Sequence, residues 1–185
     1  MQSDTVDAVY LPLPTVPRKE WVLRALACGK HVLVEKPVAV STKDYQEMIH
    51  AAHQHNRFLL DGTMFAHHGR MQLILEKCKQ NELGKIQRID SCFSFLGDES
   101  FFDNNIRCHK DMDPLGAIGD LGWYCVRFAV MVFGQVDNAA PTRVKVVDYT
   151  CNDQGVPMDA TCLVKFEKVT SVHESLCTSH LIITE

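Results

Sequence analysis

Two short segments carry residue types that suit acid–base work. The first is Glu35-Lys36-Pro37, which closes the apolar run from His31 to Glu35. A lysine at the end of a buried strand, followed by a rigid proline, has a defined direction, and ligands of open α/β sheets bind at that strand edge. The tripeptide also reads as a charged residue leaving a strand end for solvent. The second segment is Gly116-Ala117-Ile118-Gly119-Asp120-Leu121-Gly122-Trp123-Tyr124. Its three glycines permit close approach of backbone or ligand. Asp120 and Tyr124 stand four apart, on one helix face, where a carboxylate can orient a phenol for proton transfer. Taken alone, a capping aspartate followed by a core aromatic accounts for it more simply.

The elements that must position these residues follow from hydrophobic spacing. Val6 to Leu13, His31 to Glu35 and Phe58 to Leu60 are short apolar runs that read as buried strands. A helix opens at Thr15 and Pro17 and ends near Cys28, with Gly29 to cap it. Ser41 is an N-cap for a helix whose Tyr45, Met48, Ile49 and Ala52 fall on one stripe. Met71, Ile74, Leu75 and Cys78 repeat that spacing up to about Gly84. This β-α alternation predicts a parallel sheet. The second half differs. Ile86 to Phe95 alternates like a strand with one wet face, and a polar, irregular stretch from Gly97 to Pro114 is long enough to be functional. A helix from about Ala117 to Phe133 is expected next, with Cys125 in its core stripe. Two strands, Arg143 to Tyr149 and Ala160 to Phe166, are joined by a turn at Asn152 to Gly155.

Composition bounds the function classes. The chain has 185 residues, 46% hydrophobic and 23% charged, with formal net charge −4. That is ordinary globular composition, without the basic balance of a partner for nucleic acid or an anionic membrane. No apolar run approaches the roughly 20 residues a spanning helix needs, and Met1-Gln2-Ser3-Asp4 does not open a secretory signal. The eight cysteines include no C-x-x-C pair, and the smallest spacing is 11 residues. Together with His50, His53 and His55 on an exposed helix side, they give no metal-ligand pattern. Reduced thiols and a cytoplasmic location are expected.

Three segments in order, Asp7-Ala8-Val9-Tyr10-Leu11-Pro12-Leu13-Pro14, Gly29 to Pro37 and Gly116 to Tyr124, resemble the glucose–fructose oxidoreductase/inositol dehydrogenase (Gfo/Idh/MocA) family. Asp61-Gly62-Thr63-Met64, Cys92-Phe93-Ser94-Phe95 and Asn105-Ile106-Arg107 resemble its dihydrodiol dehydrogenase/D-xylose dehydrogenase branch, in the plant-type form. The resemblance implies an α/β fold: the later part of a Rossmann domain over residues 1–68, then a partial α+β domain with an open antiparallel sheet over 69–185. It fades from about Val169, so 169–185 reads as an atypical tail. The implied activity is hydride transfer between NAD or NADP and a sugar, polyol or trans-dihydrodiol. Homodimers through the open sheet are common among the relatives.

Carried over by resemblance, Lys36 lies near the nicotinamide ribose and substrate oxygen, and Asp120 is the catalytic-site aspartate. Tyr124 is the proton donor or acceptor. Leu13, Pro14, Glu35, Lys36 and Pro37 face the cofactor, and the Lys36–Pro37 bond is often cis in the family. His67 and His68 are candidate substrate contacts, or a solvated loop pair. Arg107 is a candidate for holding substrate or the cofactor amide, or a surface arginine. A lysine cation near Tyr124 is expected to lower its pKa from about 10. The departures are definite. No G-x-G-x-x-G motif occurs, so the chain reads as starting inside a Rossmann domain and NAD cannot be told from NADP. Arg18 stands where many members have His, and Ala66 where Arg is frequent. A non-catalytic fragment or subunit that associates through its sheet, with an exposed strand edge and marginal stability, is therefore the competing reading.

Overall fold

The structure is a computed structural model and describes residues 1–168 and 171–183. Its first half is a three-stranded parallel sheet, β1 (Ala8–Leu11), β2 (His31–Val34) and β3 (Leu59–Asp61), in that spatial order. The helices α1 (Thr15–Ala27) and α2 (Thr42–Gln54) connect the strands. Val32 and Val34 of β2 pack with Val22, Ala25 and Leu26 of α1 and Met48 and Ala52 of α2. The predicted alternation is therefore observed. Ser41 caps α2, its hydroxyl accepting from Asp44 N at 3.1 Å. The stripe on α2 is narrower than its spacing implies: Met48 and Ala52 are buried, whereas Tyr45 and Ile49 stay exposed, because they lie at the flank of the three-stranded layer.

A 3₁₀ turn, Met64–His67, leads into α3 (Gly69–Lys79), which packs Met71 and Leu75 against Met131 and Val132. The second sheet has the order β4-β7-β6-β5. It consists of β4 (Arg88–Gly97), β5 (Ala140–Cys151), β6 (Pro157–Lys168) and β7 (Ser171–Ile183). It is antiparallel across β5, β6 and β7, and parallel where β7 meets β4. The expected atypical tail is thus corrected over Ser171–Ile183. The apolar residues of this segment do not alternate, but its backbone pairs with β4 on one side and β6 on the other, which satisfies two edges at once. Residues 169–170 and 184–185 lie outside the described ones.

The stretch 97–114 also holds more order than its composition implies. It forms α4 (Glu99–Asn104), capped by Asp98, and a 3₁₀ turn, Ile106–Cys108, capped by Asn105. The expected helix from Ala117 begins instead as a π-turn, Ile118–Gly122, continuing into α5 (Trp123–Asp137). Phe133 of α5 meets Phe166 of β6 with ring centroids 5.0 Å apart, at the centre of the second core. Among the described residues, no helix is long and apolar enough to cross a membrane.

Among the described residues, one face of the first sheet carries no layer. Tyr10, Leu33 and Leu60 stand opposite one another across β1, β2 and β3, and are 53%, 38% and 52% exposed. Burial is thus one-sided, and substitutions on the two faces should behave differently. Leu26→Ala, at a fully buried site, is expected to cost about 2–5 kcal/mol in urea unfolding. Leu60→Thr is expected to change stability by less than ~0.5 kcal/mol while lowering self-association in sedimentation velocity.

Candidate active site

The carboxyl ends of β1 and β2 form one edge, and the π-turn is pressed against it. Gly119 makes that approach, and Gly116, just before the π-turn, packs against the start of β6. Gly116 has φ +46°, and a Cβ there would lie 2.2 Å from the Pro157 carbonyl oxygen. A Cβ on Gly119 would lie 2.7 Å from Leu115 Cβ and 3.0 Å from Pro37 Cγ. No larger residue fits either position. The Lys36–Pro37 bond is cis, as the resemblance implied.

This packing brings together residues 84 positions apart. Lys36 Nζ is 2.5 Å from Asp120 Oδ1 and donates also to Asp120 O at 2.7 Å. The other carboxylate oxygen, Oδ2, pairs with Arg107 Nε at 2.9 Å. Lys36 Nζ also stands 4.7 Å from the centroid of the Tyr124 ring, a cation–π distance. The Lys36 and Asp120 side chains are 10% and 16% exposed. Trp123 Nε1 donates to the buried Thr63 hydroxyl at 2.8 Å, and Arg127 lies 3.5 Å from Asp61 Oδ2, so α5 is fastened to the end of β3.

The lysine therefore meets the ring face of Tyr124 rather than its hydroxyl. The expected lowering of the phenol pKa is corrected: burial, then the Asp120 and Glu35 charges, push it above its usual value, against the pull of Arg107. Lys36 cannot act as foreseen because its charge is already matched by Asp120. The Tyr124 hydroxyl points to Met64 Sδ at 3.5 Å, on the wall of a cavity of about 510 Å³. Phe65, His68, Phe93 and Phe128 also line this cavity.

The other candidates divide. His68 lines the cavity and caps α3, its Nδ1 accepting from Arg70 N at 3.1 Å. His67 is exposed and is not brought to Lys36, Asp120 or Tyr124, because the 3₁₀ turn rotates adjacent side chains apart. Glu35 is held on the uncovered sheet face: Oε1 accepts from the Tyr10 hydroxyl at 2.7 Å. Leu13 and Pro14 are half-buried at the end of β1. Cys125 is buried, as its stripe implied. Among the described residues, no group of three His, Cys, Asp or Glu side chains could hold a metal ion.

Residues 1–63 match the description "Oxidoreductase family, NAD-binding Rossmann fold", and residues 71–180 match "GFO/IDH/MocA C-terminal domain". The chain belongs to the GFO/IDH/MocA family. A dTDP-3,4-didehydro-2,6-dideoxy-alpha-D-glucose 3-reductase of Actinomadura kijaniata is 32% identical over 134 residues, covering 72% of this chain and 39% of the relative. The human trans-1,2-dihydrobenzene-1,2-diol dehydrogenase is 27% identical over 168 residues, covering 89% and 47%. Among solved structures, a 3-ketoreductase from Actinomadura kijaniata in complex with TDP-benzene and NADP superposes with TM-score 0.80 at 26% identity, covering 97% of this chain and 52% of that one. An aldose-aldose oxidoreductase from Caulobacter crescentus shares the fold, with TM-score 0.85 at 22% identity, covering 98% and 52%. The chain spans about half the length of the relatives it matches.

The family description over residues 1–63 is that of an NAD-binding domain. Leu13 and Pro14 are half-buried after β1, and Lys36 and Pro37 follow β2. A pyrophosphate needs a glycine-rich strand–helix turn, and no such motif stands among the 185 residues. The ion pair itself is testable by a double-mutant cycle. Lys36→Met and Asp120→Asn are each expected to cost about 1–3 kcal/mol in urea unfolding, because each strands a largely buried charge. The double variant should cost less than their sum.

Proposed function

We propose that the protein containing this chain is an NAD(P)-dependent oxidoreductase. Its substrate in this reading is a sugar, polyol or trans-dihydrodiol, and Tyr124 exchanges the proton. The observation that carries the reading is the convergence of Lys36, Asp120, Arg107 and Tyr124 beside the carboxyl ends of β1 and β2. A bound nicotinamide supplies the hydride, or accepts it. Lys36 and Arg107 are two cationic donors at the site, and donors of this kind stabilise negative charge that develops on a substrate oxygen. Among the described residues the Tyr124 hydroxyl has only a thioether acceptor, a weak one, so its proton is available to a stronger base such as a nascent alkoxide.

The raised pKa of Tyr124 favours the reductive direction, where the phenol must begin protonated. Reduction should stay pH-independent on account of Tyr124 through neutral pH, and fall only at alkaline pH as the phenol ionises. Oxidation should climb through neutral pH. Tyr124→Phe is expected to lower kcat by about 10²–10⁴ while leaving the unfolding midpoint near wild type. Steady-state assays of the full-length protein with NADP and NAD against aldoses, polyols and dihydrodiols test this. Near-wild-type kcat in Tyr124→Phe would overturn the assignment.

A second reading, a non-catalytic subunit or homodimer that associates through its sheets, is supported by the uncovered Tyr10, Leu33 and Leu60 row and by exposed Val144, Val146 and Tyr149 on β5. No turnover in those assays, with no NADPH fluorescence change on titration, would favour it over the enzymatic one.

A further inference from the structure

Carbonyl oxygens at the carboxyl ends of β1 and β2 run out of ladder partners where the sheet stops, and buried carbonyls need donors. One side chain supplies them. Arg18, the fourth residue of α1, is 5% exposed. Its Nε donates to Leu13 O at 2.6 Å, and its Nη1 donates to Glu35 O at 2.9 Å and to Pro37 O. Glu35 and Pro37 flank Lys36. A single guanidinium thus holds the backbone on both sides of the lysine that reaches Asp120. The planar fork reaches these three acceptors from two separated nitrogens; a lysine would have to reach them from a single nitrogen, and a histidine has at most two N–H groups.

The same place seats the second half of the chain. Val16 N, near the start of α1, donates to Met112 O at 3.0 Å. Asp113, 5% exposed, follows it into the interior beside Thr15 and Arg18. Burial pushes the Asp113 carboxyl above its usual range, while the Thr15 hydroxyl and the Arg18 charge pull it back. Burial pulls the Arg18 pKa down, opposed by the charges of Asp113 and Glu35. The segment docked here leads from Arg107 to Asp120, the two partners that complete the Lys36 ion cluster.

We propose that Arg18 is a positioning residue. By holding the carbonyls of Glu35 and Pro37, it aims Lys36 at Asp120 and Tyr124, and it seats the 109–116 segment on the cofactor-facing strand edge. The role assigned to Lys36 rests on the oxidoreductase reading, but the aiming of Lys36 is measurable without turnover.

The test is acetylation by limiting N-hydroxysuccinimide acetate, with each lysine followed by peptide mass spectrometry, in wild type, Arg18→Gln and Arg18→Lys. Arg18→Lys keeps the charge and loses the fork. Lys36 is expected to react about tenfold faster in both variants, the factor given by losing one charge-assisted hydrogen bond worth ~1.4 kcal/mol. Lys77 and Lys165, paired on the surface with Glu82 and Glu167, should keep their rates. A wild-type rate at Lys36 in Arg18→Lys overturns the proposal. So does a uniform rise at every lysine in both variants, which would make Arg18 a structural prop only. Failure of the full-length protein to turn over either NADPH or NADH with the substrate panel would overturn the oxidoreductase reading and leave the labelling result standing.

Discussion

An ammonium and a carboxylate largely withdrawn from water attract each other enough to offset their desolvation only when their remaining donors and acceptors are also met. Lys36 and Asp120 satisfy that condition. The ammonium takes both the carboxylate and the backbone oxygen of Asp120 and lies over the Tyr124 ring, and the second carboxylate oxygen takes Arg107. The consequences spread outward. The end of β2 has to be fixed, which Arg18 does. The π-turn has to come within reach of Pro37, which Gly119 permits. The capped 3₁₀ turn has to present Arg107. Each local feature serves one contact between residues 84 positions apart.

The arrangement also separates two environments around one tyrosine. On its ring face stands a cluster of fixed charges. At its hydroxyl is an apolar cavity whose nearest polar partner is a thioether. Burial and the Asp120 and Glu35 charges both favour the protonated phenol. A lysine bonded to the hydroxyl would have produced the opposite polarity, a phenol prepared to ionise.

Much of this was legible in the sequence, for identifiable reasons. Apolar runs bounded by Pro and Gly gave β1 to β3, the Ser41 cap gave α2, and the quoted motifs pointed to Lys36, Asp120 and Tyr124. What stayed hidden depends on partners distant in the chain. Ser171–Ile183 lacks an alternating pattern, and its strand exists because two neighbours offer their edges. The π-turn adds residues to a helical turn without changing composition. The direction of the Tyr124 shift depends on whether a lysine meets a ring or a hydroxyl, which spacing does not encode. Arg18 was visible only as a departure from the family's usual histidine. Its burial beneath three carbonyls could be read only once both strand ends were placed.

The central claim is that Lys36 and Asp120 are in direct contact and tie the two halves of the chain together. Zero-length carbodiimide cross-linking of the native protein, followed by peptide mapping, tests it most directly. The account predicts a cross-linked peptide joining Lys36 to Asp120, absent in Asp120→Asn. A Lys36 cross-linked only to other carboxylates, or to none, would contradict it.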